Sequence, residues 1–182
     1  SFPTPLPDAQ SSMISIRPVD PHEWPQYRDI RLRALRDAPD AFGSTWAAEA
    51  ARADADWAAR LQAAAAGGRD RVLFAVNGEQ ACGLVWCKLC ADEPGVADLF
   101  QMWVDPAARG RGAGQALLAQ AVAWAWQMSM RRVRLGVTAA DSPAMRLYLA
   151  HGFRAQGGLQ PLREGSGLQV QAMALDLSLI HI

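Results

Sequence analysis

Apolar and polar positions alternate, cluster and break along this chain in an order that predicts its elements one by one. Residues 15–19, SIRPV, are short and alternating and read as a first strand near a sheet edge. Asp20-Pro21-His22-Glu23 has the form of a helix start, with Asp20 as N-cap, Pro21 at the first helical position and Glu23 at the capping-box position. The helix is expected to run to about Arg36, with Trp24, Tyr27, Ile30, Leu32 and Leu35 as an approximate apolar face. Arg28, Arg31 and Arg33 then fall on its solvated side. Residues 37–44, DAPDAFGS, break the helix. A second helix is expected over 54–66, where Trp57 and Leu61 share one face, and Gly67-Gly68 ends it. Strands at 71–76 and 81–90 follow, joined by Asn77-Gly78, a strong hairpin signal.

The apolar run 98–104, DLFQMWV, suits a buried central strand, and a period of two puts Asp98, Phe100, Met102 and Val104 on one face. Asp105-Pro106 ends it, because proline has no amide hydrogen for the ladder. Two arginines and three glycines follow within 109–114, RGRGAG, and then fifteen residues of helix character, 115–129, which Arg131-Arg132 close at the C-terminal end. Next come a strand at 133–137, a loop at 138–141 and a short helix capped by Asp141 and ended by Gly152. Strands at 153–156 and 169–177 flank a glycine-containing loop at 157–167. No internal repeat is visible. This order predicts a mixed, twisted α/β sheet of six to seven strands with about four helices.

Length and charge narrow the class. With 182 residues, one domain is expected over 13–178, after a disordered lead at 1–12 and before a tail at 179–182. No apolar run approaches the roughly 20 residues of a membrane span, and the proline-containing start has no positive charge, so no membrane association and a cytoplasmic location are expected. Cys82, Cys87 and Cys90 are odd in number and lie on one predicted strand, so they read as packed strand residues. No metal site is expected, because His22, His151 and His181 are far from them in sequence. A single lysine and no basic stripe argue against nucleic acid. The net charge is zero but uneven: residues 1–100 carry an excess of acids and 101–182 an excess of arginines. That split would suit an anionic cofactor on one side and a cationic amine on the other.

The strand–glycine loop–helix at 98–129 is the candidate for chemistry. A helix N-terminus has free amide hydrogens and the positive end of the dipole, and glycines let the backbone approach a phosphate. A dinucleotide-binding turn would need its first glycine directly after the strand and an acid ending the next strand, and both are lacking. A Walker loop would need Gly-Lys-Ser/Thr, also lacking. Arg109-Gly110-Arg111-Gly112-Ala113-Gly114 does resemble the Q/R-x-x-G-x-G/A acyl-CoA loop of the GCN5-related N-acetyltransferases (GNAT). Asp141-Ser142-Pro143-Ala144-Met145-Arg146-Leu147-Tyr148 resembles that family's N-x-x-A-x-x-x-Y helix, and His151-Gly152-Phe153 stands where it usually has L-G-F.

The resemblance implies the GNAT fold, splayed at its central parallel strands, and acetyl-CoA as co-substrate. It implies diphosphate on the amides of 109–114 and a pantetheine arm against the main chain of Met102, Trp103 and Val104. Tyr148 corresponds to the tyrosine that protonates the leaving thiolate. Asp141 stands where asparagine is usual; it is a cofactor contact that can only accept hydrogen bonds. Asp98 stands where several members place a glutamate base, with Asp92, Glu93 or main-chain carbonyls and water as alternatives. Phe42 and Trp46 fall where the acceptor wall is expected. The implied activity is acetyl transfer to a primary amine of a small molecule or peptide. Aminoglycoside-type antibiotic acetylation, which would want the acids Asp37, Asp40, Glu49, Asp54 and Asp56 in the cleft, and a non-catalytic acyl-CoA sensor are the alternatives. Members are often dimers, so a homodimer is compatible with the resemblance.

Overall fold

The computed structural model describes residues 13–179; the expected lead at 1–12 and residues 180–182 of the tail lie outside that range. In chain order the strands are β1 (Ile14–Pro18), β2 (Asp70–Asn77), β3 (Gln80–Leu89), β4 (Val96–Val104), β5 (Arg132–Thr138), β6 (Arg154–Ala155), β7 (Gln160–Pro161) and β8 (Gln169–Asp176). The helices are α1 (Trp24–Asp37), α2 (Trp46–Ala50), α3 (Asp54–Gly67), α4 (Ala113–Gln127) and α5 (Pro143–Ala150). The strands form one sheet in the order β1-β2-β3-β4-β5-β8-β6, with β7 on β8. Every pairing is antiparallel except β4 with β5. This is the mixed, twisted α/β sheet expected, with an eighth strand, β7, inside the expected 157–167 loop and an unexpected short α2. No helix among the described residues is long and apolar enough to cross a membrane.

Helices cover both faces, which is why β2 and β3 are buried almost without alternation. Leu73, Val85 and Leu135 pack on one face with Leu117, Leu118 and Ala121 of α4. Val72, Phe74, Leu84 and Trp86 pack on the other with Tyr27 and Leu35 of α1 and Trp57 of α3. Tyr27 meets the rings of Trp57 and Trp86 edge-on, each at 5.7 Å, contacts worth about 0.5–1.5 kcal/mol apiece beyond their burial.

The local signals account for most boundaries. Asp20 and Glu23 form the capping box, with His22 N donating to Asp20 at 2.9 Å and Asp20 N to Glu23 at 2.9 Å. They cap a 3-10 turn, Pro21–Glu23, that runs straight into α1. The hairpin turn is Gly78-Glu79, one residue later than expected, because Asn77 still pairs with Gln80. Helix α4 starts and ends two residues earlier than expected: Gly112 opens it with φ +80, and Ser129, at φ +64, lies past its end. Arg131 and Arg132 therefore do not close α4; their amides bond the Gly95 carbonyl and lead into β5. Asp141 does not cap α5. Ser142 does, accepting from Met145 N at 3.1 Å, while Asp141 pairs outward with Arg146 at 2.7 Å.

One departure changes the site. Gln101 sits in β4 with φ +60, and the β3–β4 register shifts between Leu84 and Trp86 at that point. The bulge inserts a residue and reverses which side chains face which layer. Leu99 packs toward α4 before it, whereas Met102 and Val104 do so after it. Asp98 and Phe100 are thus not on the face of Met102 and Val104, contrary to the simple period of two. A left-handed residue other than glycine costs on the order of 1–3 kcal/mol, and Tyr27 Oη helps hold it by donating to Gln101 Oε1 at 2.7 Å.

Candidate active site

β4 and β5 pair over only three rungs, the last being Asp98 with Arg134. Beyond it the parallel strands separate, and the main chain of β4 from 99 to 104 lacks a strand on that side. A cleft of about 1730 Å³ opens there. Its walls are β4 and β5; one end is closed by the glycine loop with α4 and α5, and the other by residues from α1, α2 and α3. Residues 39–44 strap across it, tied by Thr138 Oγ1 donating to the Asp40 carbonyl at 2.6 Å and Arg163 donating to the Phe42 carbonyl at 2.8 Å.

At the first end, Asp105 caps the 3-10 turn Pro106–Ala108 and the chain then turns through Gly110 and Gly112, at φ +82 and +80. Gly112 gives α4 no side-chain cap, so the amides of its first turn are left for another acceptor. Arg109 folds back, donating from Nε to the Val104 carbonyl at 3.1 Å and from Nη2 to Asp37 at 3.1 Å. It braces the loop against the ends of β4 and α1. Arg33 pairs with Asp105 and braces the same corner. Gly114 is tight: a Cβ there would meet Leu147 at 3.3 Å.

Tyr148 reaches the cleft from α5, with its ring 5.9 Å from Phe153. Burial pushes its phenol well above the ordinary value, so it stays protonated across the working pH range. Asp98 also lines the cleft, but Arg134 Nε and Nη2 donate to its two oxygens at 2.9 and 3.2 Å. Arg134 is held in turn by Glu93 at 2.5 Å, and its pKa is raised, first by the Asp98 hydrogen bond.

Of the residues singled out in the sequence, Asp98, Met102, Trp103, Val104, Arg109, Gly110, Gly112, Ala113, Gly114, Tyr148 and Phe42 line this one cleft. Arg111, Asp141 and Trp46 are not among its lining residues. Trp46 stacks on Arg36, whose guanidinium lies 4.3 Å from the ring. His151 ends α5 and does not line the cleft, and burial lowers its pKa. Cys82 and Cys87 are buried and all three thiols are free. Among the described residues no group of three His, Cys, Asp or Glu is placed to hold a metal ion.

Sequence reasoning missed the other end. Arg31, expected on the solvated face, is 3 % exposed and lines the cleft with Glu49 and Arg60. The signal was present: Tyr27, Ile30, Arg31, Ala34 and Leu35 follow the i, i+3, i+4, i+7, i+8 stripe of a buried helix face, and all five are buried.

Comparison with known proteins decides the family. The acetyltransferase (GNAT) family model matches residues 22–153. The chain belongs to this family. A mycothiol acetyltransferase of Mycobacterium avium (strain 104) is 42% identical over 67 residues, which are 37% of this chain and 20% of that protein. The chain thus spans far less than the full length of that curated relative. Among solved structures, a GNAT-family acetyltransferase from Streptococcus pneumoniae aligns with TM-score 0.76 at 22% identity, over 90% of this chain and 99% of that one. A putative acetyltransferase, yncA, from Salmonella typhimurium, solved with its cofactor acetyl-CoA, aligns with TM-score 0.75 at 19% identity, over 91% and 94%. At those identities the two structures establish the GNAT fold of the chain.

Proposed function

We propose that this GNAT chain transfers an acetyl group from acetyl-CoA to a primary amine of a small molecule or peptide, by direct attack on the thioester. One observation carries the reading: the uncapped start of α4, the open edge of β4 and Tyr148 all face the same cleft. The free amides after Gly112 suit a diphosphate. The main chain of Met102, Trp103 and Val104, which has a strand partner in β3 and none on the β5 side, suits an extended arm bearing amides, added as a strand would be. No side chain crowds Gly110 or Gly112, since a Cβ at either would meet nothing within 4 Å.

Acetyl-CoA supplies an activated acyl group and a thiolate leaving group. The chain supplies the rest. Main-chain amides beside the bulge hold the thioester oxygen as it gains charge. Tyr148 passes its proton to the departing sulfur and regains one from the cleft water that takes up the amine proton. Asp98 anchors Arg134 and the apex of the splay, and the amine proton leaves through cleft water bound to β5 carbonyls that the splay frees. Of the acids the aminoglycoside alternative would want, Asp37, Asp40 and Glu49 line the cleft, with Asp37 held by Arg109 and Trp103 and Glu49 by Arg52 and Arg60. Asp54 and Asp56 are not among the lining residues.

The test is thiol release from acetyl-CoA with an amine panel, alongside thermal stabilisation by CoA. The expected result is stabilisation together with amine-dependent thiol release. Stabilisation without release from any amine would make the chain a binder and overturn the transferase reading.

A further inference from the structure

The far end of the cleft carries a charge the acetyl chemistry does not use. Arg31 is 97% covered, yet its Nε and Nη1 have no hydrogen-bond partner. Its guanidinium lies 4.7 Å from the Phe42 ring. The nearby carboxylate, Glu49, is already taken: Oε2 accepts from Arg52 at 2.9 Å and Arg60 at 3.2 Å. One carboxylate therefore pairs with two guanidiniums and leaves the third, Arg31, without an ion pair among the described residues. Burial lowers the Arg31 pKa, the mark of a cation held short of compensation. Leaving a buried charge unpaired destabilises a fold, so its presence in a cleft wall calls for an anion from outside. The location also fits. Tyr27, one turn before Arg31 on the same face of α1, holds the Gln101 bulge, and Arg31 lines the cleft that the splay opens beside it.

Resting on the transferase reading, we infer that Arg31, supported by Arg60, is an anion subsite that binds the carboxylate of the acceptor, so that the substrate is an amine that also carries an acid. A carboxylate beside a guanidinium in a dry site gains charge-assisted hydrogen bonds, and Arg31 and Arg60 together line this part of the cleft wall. Phe42 on the guanidinium face keeps the plane oriented. The net effect is selection: a plain amine would leave Arg31 buried and unpaired, and an acidic amine would not.

The experiment uses matched pairs that differ only in the carboxylate: glycine with methylamine, L-leucine with isopentylamine, L-phenylalanine with phenethylamine. Thiol release gives kcat and KM, and tryptophan fluorescence in the presence of CoA gives the affinity of N-acetyl-L-phenylalanine against N-acetylphenethylamine. The wild type is expected to favour at least one acidic member by tenfold or more, mainly in KM, and to bind the acidic product tenfold more tightly. Arg31→Met should bring both ratios near one, and Arg31→Lys should keep part of them. Arg31→Met should also melt no lower than the wild type, whereas a merely structural arginine would lower the melting temperature. Equal thiol release from both members of every pair would overturn the subsite and leave the transferase reading intact. Absence of thiol release with the product preference retained would overturn the transferase reading and leave the subsite intact. Loss of both, or ratios unchanged by Arg31→Met, would overturn the subsite.

Discussion

Arg134 reaches across the last rung of the parallel β4–β5 ladder and takes both oxygens of Asp98, at 2.9 and 3.2 Å. The pair sits at the point where the strands part, so it fixes where the cleft begins. To accept a proton, Asp98 would have to weaken those contacts. Asp98→Asn is therefore expected to keep the acidic limb of the pH–rate profile while lowering stability by about 0.5–1 kcal/mol, as for a partly exposed pair. Loss of that limb would return Asp98 to the role of general base.

The glycine loop separates backbone strain from charge. Gly112 has φ +80 and open space around its Cβ position, so Gly112→Ala adds strain without a clash, on the order of 1 kcal/mol. Gly112→Asp adds a carboxylate where a diphosphate would sit. Calorimetry with CoA should show a modest loss for the alanine and near-complete loss for the aspartate. Equal and mild losses would move the diphosphate elsewhere.

Tyr148 is buried against Phe153 and lines the cleft. Tyr148→Phe keeps the packing and removes only the hydroxyl. Turnover should fall by tenfold or more, a general-acid effect, with CoA affinity changed less than twofold. Because burial holds the phenol protonated, Tyr148 should not produce an alkaline limb near pH 10. A wild-type rate in the phenylalanine variant would remove it from the mechanism.

Alkali should unfold the chain through groups the fold keeps neutral. Burial pushes the Cys87 thiol from 9.0 up to about 12. It also raises Cys82, Tyr27 and Tyr148, whose ordinary values are 9.0, 10.0 and 10.0. Their folded values lie above the unfolded ones, so their contribution is complete below pH 9 and is lost as pH rises. Each contributes a slope of about 1.4 kcal/mol per pH unit while only the unfolded chain ionises. Urea melts at pH 8, 9.5 and 10.5 should show stability falling, with phenolate absorbance appearing only on unfolding. Phenolate absorbance in the folded state near pH 10 would contradict the burial of both tyrosines.

The order of elements, the break at Asp105-Pro106 and the glycine loop were all legible in the residues, because capping, alternation and glycine's freedom act within a few positions of each other. Eleven of the site residues implied by the family resemblance line one cleft. The residues decided less where a side chain's neighbours come from far along the chain. Gln101 adopts a left-handed backbone, its side chain held by Tyr27, 74 positions away, and that bulge reverses the faces of β4. Arg31 sits on the buried stripe of α1, but its charge pointed to solvent, and the packing of Phe42, Glu49 and Arg60 around it settled the outcome. Local patterns determine which elements form; whether a charged side chain ends in water or in a cleft depends on the layers that close over it, and those exist only once the chain has folded.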